Sequence, residues 1–196
     1  MAEVKKDDFG RRFSDAVPWR TASSLADGAE LTALWLEGRS TYLPMYADDK
    51  PAEETQPWVA ALASINRAGF VTDGSQPGVP LSDAYPQRAF LTGYCDESTA
   101  DRLDRALART ELVVVTFGSG ALGEASIPVT LHNGQPCTWL GRTDDLLDPE
   151  QFEFSASESN PVYVEALRNA THLQLFDPVW GRPDYLFQST LTALAS

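Results

Sequence analysis

Apolar residues along the chain fall into short blocks of helical or strand spacing, separated by polar and proline-rich breaks. Leu31, Leu34 and Trp35 share one face of a short helix, and Asp27 with Glu30 has the spacing of its capping box. Trp58, Leu62 and Ile65 recur at i, i+4 and i+7. That spacing predicts a stronger helix, capped by Thr55, tolerant of Pro57 in its first turn and stopped by Gly69. Residues 88–94 read as a strand. Ser98 with Asp101 then opens a helix to about Arg109, with Leu103, Ala106 and Leu107 inward. The valine-rich run 112–117 predicts a central strand buried on both faces. Asn133-Gly134, between apolar stretches at 127–131 and 135–140, is a hairpin signal. Pro161 opens a helix with Tyr163, Val164 and Leu167 inward, residues 172–176 form a strand, and a last helix from Pro183 presents Phe187, Leu191 and Leu194.

Strict β–α alternation is missing, so the pattern predicts an α+β (mixed α/β) fold, with β-sheets in the core and peripheral helices, over a doubly wound parallel sheet. Residues 1–17 are polar and aperiodic and read as a loose N-terminal arm; residues 18–196 read as a single ligand-binding domain. A chain of 196 residues suits one domain with a real core.

Charge narrows the partners. The formal net charge of -13 argues against a nucleic-acid surface, because phosphate would be repelled. No apolar run approaches the ~18 residues of a membrane span, and the N-terminal MAEVKKDDFGRRFSD has no apolar leader core. Cys95 and Cys137 are too few for a disulfide framework. The expectation is a reduced cytoplasmic protein with neither nucleic acid nor membrane as partner.

Most candidate catalytic patterns dissolve on inspection. Gly118-Ser119-Gly120-Ala121-Leu122-Gly123 satisfies G-x-G-x-x-G after a strand, but Ile127-Pro128-Val129 follows too soon for the helix a dinucleotide needs. It reads as an inter-strand loop. His132 precedes the hairpin turn and His172 begins a strand; neither has zinc-ligand spacing, and nothing local supports a triad on Ser75. No catalytic residue and no metal are therefore expected.

The densest polar chemistry is the run Ile65-Asn66-Arg67-Ala68-Gly69-Phe70-Val71-Thr72-Asp73-Gly74-Ser75-Gln76-Pro77-Gly78, a helix end, a strand and a polar turn. Hydroxyls, an amide and exposed backbone packed this closely suit a small polar ligand. Glu54-Thr55 stands at the far end of a helix about 20 Å long. The two ends can share a small ligand only if a short strand returning from Gly69 brings Thr72 and Ser75 alongside the helix start; otherwise Glu54 is simply a first-turn acid favoured by the helix dipole.

The same run resembles the signature of the C-terminal regulatory domain of eukaryotic-type methylenetetrahydrofolate reductases, a similar N-R-x-G-x-x-T-x-x-S-Q-P. The likeness extends, in order, through Leu43-Pro44, Glu54-Thr55, Gln87-Arg88-Ala89-Phe90-Leu91, Thr138-Trp139, Gly141-Arg142, Asp148-Pro149 with Phe152, and residues 171–194. The loop between Pro77 and Gln87 is shorter than the family's, as is the stretch after Gly141, where Thr143 is an uncertain counterpart of a second threonine. An upstream aromatic region of the family is not aligned here, Pro18-Trp19 being the candidate for it.

The resemblance implies a domain that binds S-adenosylmethionine or S-adenosylhomocysteine through Glu54, Thr55, Thr72, Ser75 and Thr138, and that makes homodimer contacts. A flavin-binding barrel of roughly 250 residues does not fit in this length. The expectation is a stand-alone, non-catalytic sensor of an adenosyl ligand with an unknown protein partner, no flavin and no reductase activity. Two alternatives are an enzyme that consumes S-adenosylmethionine by methyl transfer or cleavage, with Asp73 or Glu54 as acid or base, and an interaction protein that keeps the fold without the pocket.

Overall fold

The computed structural model describes residues 5–44, 46–118, 124–142 and 159–195. In chain order these form a single helical turn α1 (Phe13–Ala16), α2 (Leu25–Leu36), a 3-10 segment (Glu53–Trp58) running into α3 (Val59–Arg67), β1 (Val71–Gln76), β2 (Arg88–Cys95), α4 (Glu97–Leu107), β3 (Val113–Phe117), β4 (Glu124–His132), β5 (Gln135–Arg142), α5 (Pro161–Arg168), β6 (Thr171–Trp180) and α6 (Tyr185–Ala195). Strands β1-β2-β6-β3 make one sheet and β4-β5 a separate hairpin, all paired antiparallel. The fold is α+β, as the pattern predicts.

Alternation along β2 and β6 sorts the core into two layers. Ala89, Leu91, Cys95, Leu173 and Leu175 join Leu62 and Ile65 of α3, Leu103 and Leu107 of α4, and Leu186 and Phe187 of α6 in the main apolar cluster. On the other face Phe176, Phe90, Val113 and Val115 are covered by Val129, Ile127 and Leu140 of the hairpin. Thr92, Tyr94 and His172 continue that second face away from this cluster.

Several local expectations shift. The capping box of α2 is Ser24 with Asp27, three residues before the expected pair: the Ser24 hydroxyl accepts the Asp27 N–H, and Asp27 Oδ2 accepts the Ser24 N–H. Thr55 does not cap α3, because Pro57 lies in a 3-10 turn and regular helix starts only at Val59. Asp96 takes the capping role expected of Ser98. The valine-rich β3 is an edge strand, since β6, from the far end of the chain, inserts between it and β2. The G-x-G-x-x-G run from Ser119 to Gly123 and residues 143–152 lie outside the described residues.

The expected loose arm is tied down from Lys5 onward. Arg11 stacks on Tyr42, and the Arg12 N–H donates to the Thr41 hydroxyl at 2.7 Å. Asp15 in turn accepts from the Thr41 N–H at 2.8 Å, the Thr41 hydroxyl at 3.0 Å and Arg12 Nε at 2.8 Å. Burial alone would raise the Asp15 pKa, but these donors outweigh it and hold it below its ordinary 3.8. Asp15→Asn should therefore lower stability by about 2 kcal/mol at neutral pH. The wild-type contribution is complete above the ordinary carboxylate value and disappears as pH falls through the depressed one. Urea titrations should show the gap between variant and wild type closing in acid.

Candidate functional site

Most side chains of the 65–78 run build the site's frame. Asn66, fully buried at the end of α3, donates from Nδ2 to the Leu62 carbonyl at 2.9 Å and to Thr72 Oγ1 at 2.8 Å, while its Oδ1 accepts the Thr72 N–H at 3.0 Å. Arg67 bridges to Glu30 at 2.8 Å and Glu37 at 2.5 Å, fastening α3 to α2. Gly69 ends the helix in the left-handed region at φ 99, with the Phe70 N–H returning to the Ile65 carbonyl. Gln76 accepts from Gln87 Nε2, which also donates to the Pro77 carbonyl. The Asn66 amide and the Gln76 side-chain oxygen are thus spent on the fold.

Because the Thr72 oxygen accepts from Asn66, its own hydroxyl hydrogen is left to donate elsewhere. A bulge follows: Thr72 pairs with Gly93 and Gly74 with Thr92, leaving Asp73 as the extra residue. The bulge turns the Asp73 side chain toward β2 and β6. Its Oδ1 accepts the Thr92 hydroxyl, and Oδ2 lies 3.0 Å from His172 Nε2. A carboxylate only accepts, so Nε2 carries the hydrogen in that contact; the buried Nδ1 has no partner among the described residues. The Asp73 carbonyl accepts the Tyr46 hydroxyl at 2.9 Å.

Around β1 lies a cleft of two compartments. The larger, about 280 Å³, is mostly apolar and walled by the rings of Trp19, Tyr46, Tyr94 and Tyr163 with Val71, Thr72 and Asp73. The smaller, about 130 Å³, is the more polar of the two: Trp35, Asp48, Lys50, Thr55, Ser75 and Gln76 are among its lining residues. Thr32, Leu43, Tyr46, Thr72 and Asp73 belong to both and form the junction. Trp35 Nε1 is buried and unpartnered among the described residues, a donor held at the wall of the polar compartment. Burial, and then the Asp73 charge, push the phenols of Tyr46, Tyr94 and Tyr163 above the ordinary tyrosine range. All three remain protonated donors at neutral pH.

Of the five residues singled out from sequence, Thr55, Thr72 and Ser75 line this cleft. Glu54 and Thr138 are not among its lining residues. Neighbours in a 3-10 turn project about 120° apart, so the turn that points Thr55 inward leaves Glu54 exposed. Thr138 is exposed on β5 opposite Thr130, toward the hairpin tip. Sequence reasoning read Trp35 and Tyr163 as core; Asp73 was weighed only as an acid or base. Helical spacing marked Trp35 and Tyr163 as inward, which does not separate core from cavity wall. His132 is exposed and stacked on Tyr85. Among the described residues no group of three His, Cys, Asp or Glu is placed to hold a metal ion, and no helix is long and apolar enough to cross a membrane.

Fold and cleft together define an α+β domain with a two-compartment cleft along β1. Residues 14–196 match the family described as "Domain of unknown function (DUF6919)", and the chain belongs to that family. No curated protein matches it.

Proposed function

We propose that this protein is a non-catalytic binding module for S-adenosylmethionine or a related adenosyl compound, held in the two-compartment cleft. One observation carries the reading: Thr55 and Thr72 with Ser75, picked from two separate segments of the sequence, line the same compartment. The ligand's own division fits the cleft. Its adenosyl part suits the aromatic compartment, where rings supply stacking and phenols supply donors. Its amino-acid part suits the polar one, with Lys50 for the carboxylate and Asp48 for the ammonium. Cys95 is buried and Cys137 exposed, both as free thiols, which favours a reducing cytoplasm.

Isothermal titration tests this. Thr72→Val should weaken binding by about tenfold through loss of one donor, and Thr72→Ser should restore it. Absence of heat with both S-adenosylmethionine and S-adenosylhomocysteine at millimolar ligand would reject the reading. The Asp73–His172 pair beside the cleft is what favours the alternative, an enzyme consuming the ligand. Mass spectrometry after prolonged incubation distinguishes the two, since a binding module returns the ligand intact.

A further inference from the structure

The aromatic compartment holds a single carboxylate. Among its lining residues Asp73 is the one acid, and lysine and arginine do not occur. Among the lining residues of the cleft the one lysine or arginine, Lys50, belongs only to the polar compartment. Asp73 keeps about a quarter of its side chain exposed while His172 and Thr92 hold its two oxygens in place. Trp19, Tyr46, Tyr94 and Tyr163 line the same compartment. Tyrosine and tryptophan faces attract cations through their quadrupoles, most strongly where water is excluded. A single carboxylate among four rings is an arrangement for a weakly hydrated organic cation, and a poor one for an anion.

Asp73 also sits at the junction, shared by both compartments with Tyr46 and Thr72. If the adenosyl part occupies one compartment and the amino-acid part the other, the atom between them is sulfur. We propose that the junction is an onium site: Asp73 is the counter-charge for a sulfonium centre, and the cleft takes the sulfonium ligand in preference to its neutral thioether. His172 is a positioning residue, fixing the Asp73 carboxylate from behind. The choice of sulfonium as the onium group rests on the adenosyl reading above; the cation preference rests on the lining of the cleft.

The test compares S-adenosylmethionine, S-adenosylhomocysteine and tetramethylammonium on wild type and Asp73→Asn, by titration calorimetry and tryptophan fluorescence. Asparagine keeps an acceptor for Thr92 and gives His172 a donor in its other tautomer, so the variant retains the local hydrogen bonds. The preference for the sulfonium over the thioether should be about tenfold or more in wild type and should vanish in Asp73→Asn, with thioether affinity unchanged within about threefold. Tetramethylammonium should compete with S-adenosylmethionine in wild type and not in the variant. Equal affinity of wild type for the two adenosyl compounds would overturn the onium site and leave the adenosyl reading standing. Binding of tetramethylammonium, lost in Asp73→Asn, without binding of either adenosyl compound would support the onium site and reject the adenosyl reading. No binding of any of the three would overturn both. Circular dichroism and a urea midpoint within error of wild type qualify the variant. Should it fail these, the wild-type comparison of the two adenosyl compounds decides alone.

Discussion

Replacing Arg182 with alanine should destabilise the protein by about 3–5 kcal/mol, the cost of leaving a buried carboxylate unpaired. Asp177 is completely buried, and Arg182 grips it with two bonds, Nε to Oδ2 at 2.6 Å and Nη2 to Oδ1 at 2.8 Å. Asp177 then retains the Val179 N–H, at 2.9 Å, which one carboxylate cannot live on in an apolar interior. The guanidinium also reaches Glu111 at 2.7 Å and lies over the Tyr185 ring, so truncation unties the end of β6 from the start of α6. A chemical-denaturation series should show the loss directly. Adding Asp177→Asn to Arg182→Ala should recover part of it, because the penalty belongs to the stranded charge. Equal midpoints for wild type and Arg182→Ala would show that Asp177 finds another partner.

Gly93→Ala should strike the site itself. A Cβ at this position would stand 2.9 Å from the Thr72 Cα and closer still to the Val71 carbonyl oxygen, both backbone atoms of the neighbouring strand. No side-chain rotation relieves that collision. Either β1 moves away from β2 or the pairing breaks, and Val71, Thr72 and Asp73 are the stretch of β1 that walls the aromatic compartment. Overpacking of this kind costs roughly 3 kcal/mol of stability. Its larger effect should be on ligand: a shift of this wall by a fraction of an ångström displaces the junction donors together, and affinity should fall by more than about a hundredfold. Calorimetry at a temperature where the variant remains folded checks this. Unchanged affinity would mean that the ligand does not touch β1.

How much of this was readable from the chain alone depends on sequence distance. The hairpin turn at Asn133-Gly134, with φ 51 and 74, and the helix opened by Pro161 are local chemistry and were legible. So was the polar run, since Gly69 and the hydroxyls after it lie within ten residues of each other. The capping box of α2 misled because two overlapping pairs, Ser24 with Asp27 and Asp27 with Glu30, satisfy the same spacing; Glu30 is claimed instead by Arg67. The edge position of β3 was invisible, because sheet order is set by where β6 inserts and not by how apolar β3 is. The Asp73–His172 contact joins residues 99 apart and left no periodic trace. Trp35 and Tyr163 looked like core because cavity walls and cores share one hydrophobic pattern.

The Asn66 side chain gives the run between it and Thr72 a fixed length. Three hydrogen bonds converge on one amide, two of them spanning six residues and a left-handed turn. One residue inserted or deleted between these ends would carry the Thr72 hydroxyl to the other face of β1 and leave a buried amide without its partners. Substitutions can be absorbed there one at a time, but a change of count cannot. The segment therefore acts as a ruler between helix and strand, and its length is as much a part of the site as any side chain on it.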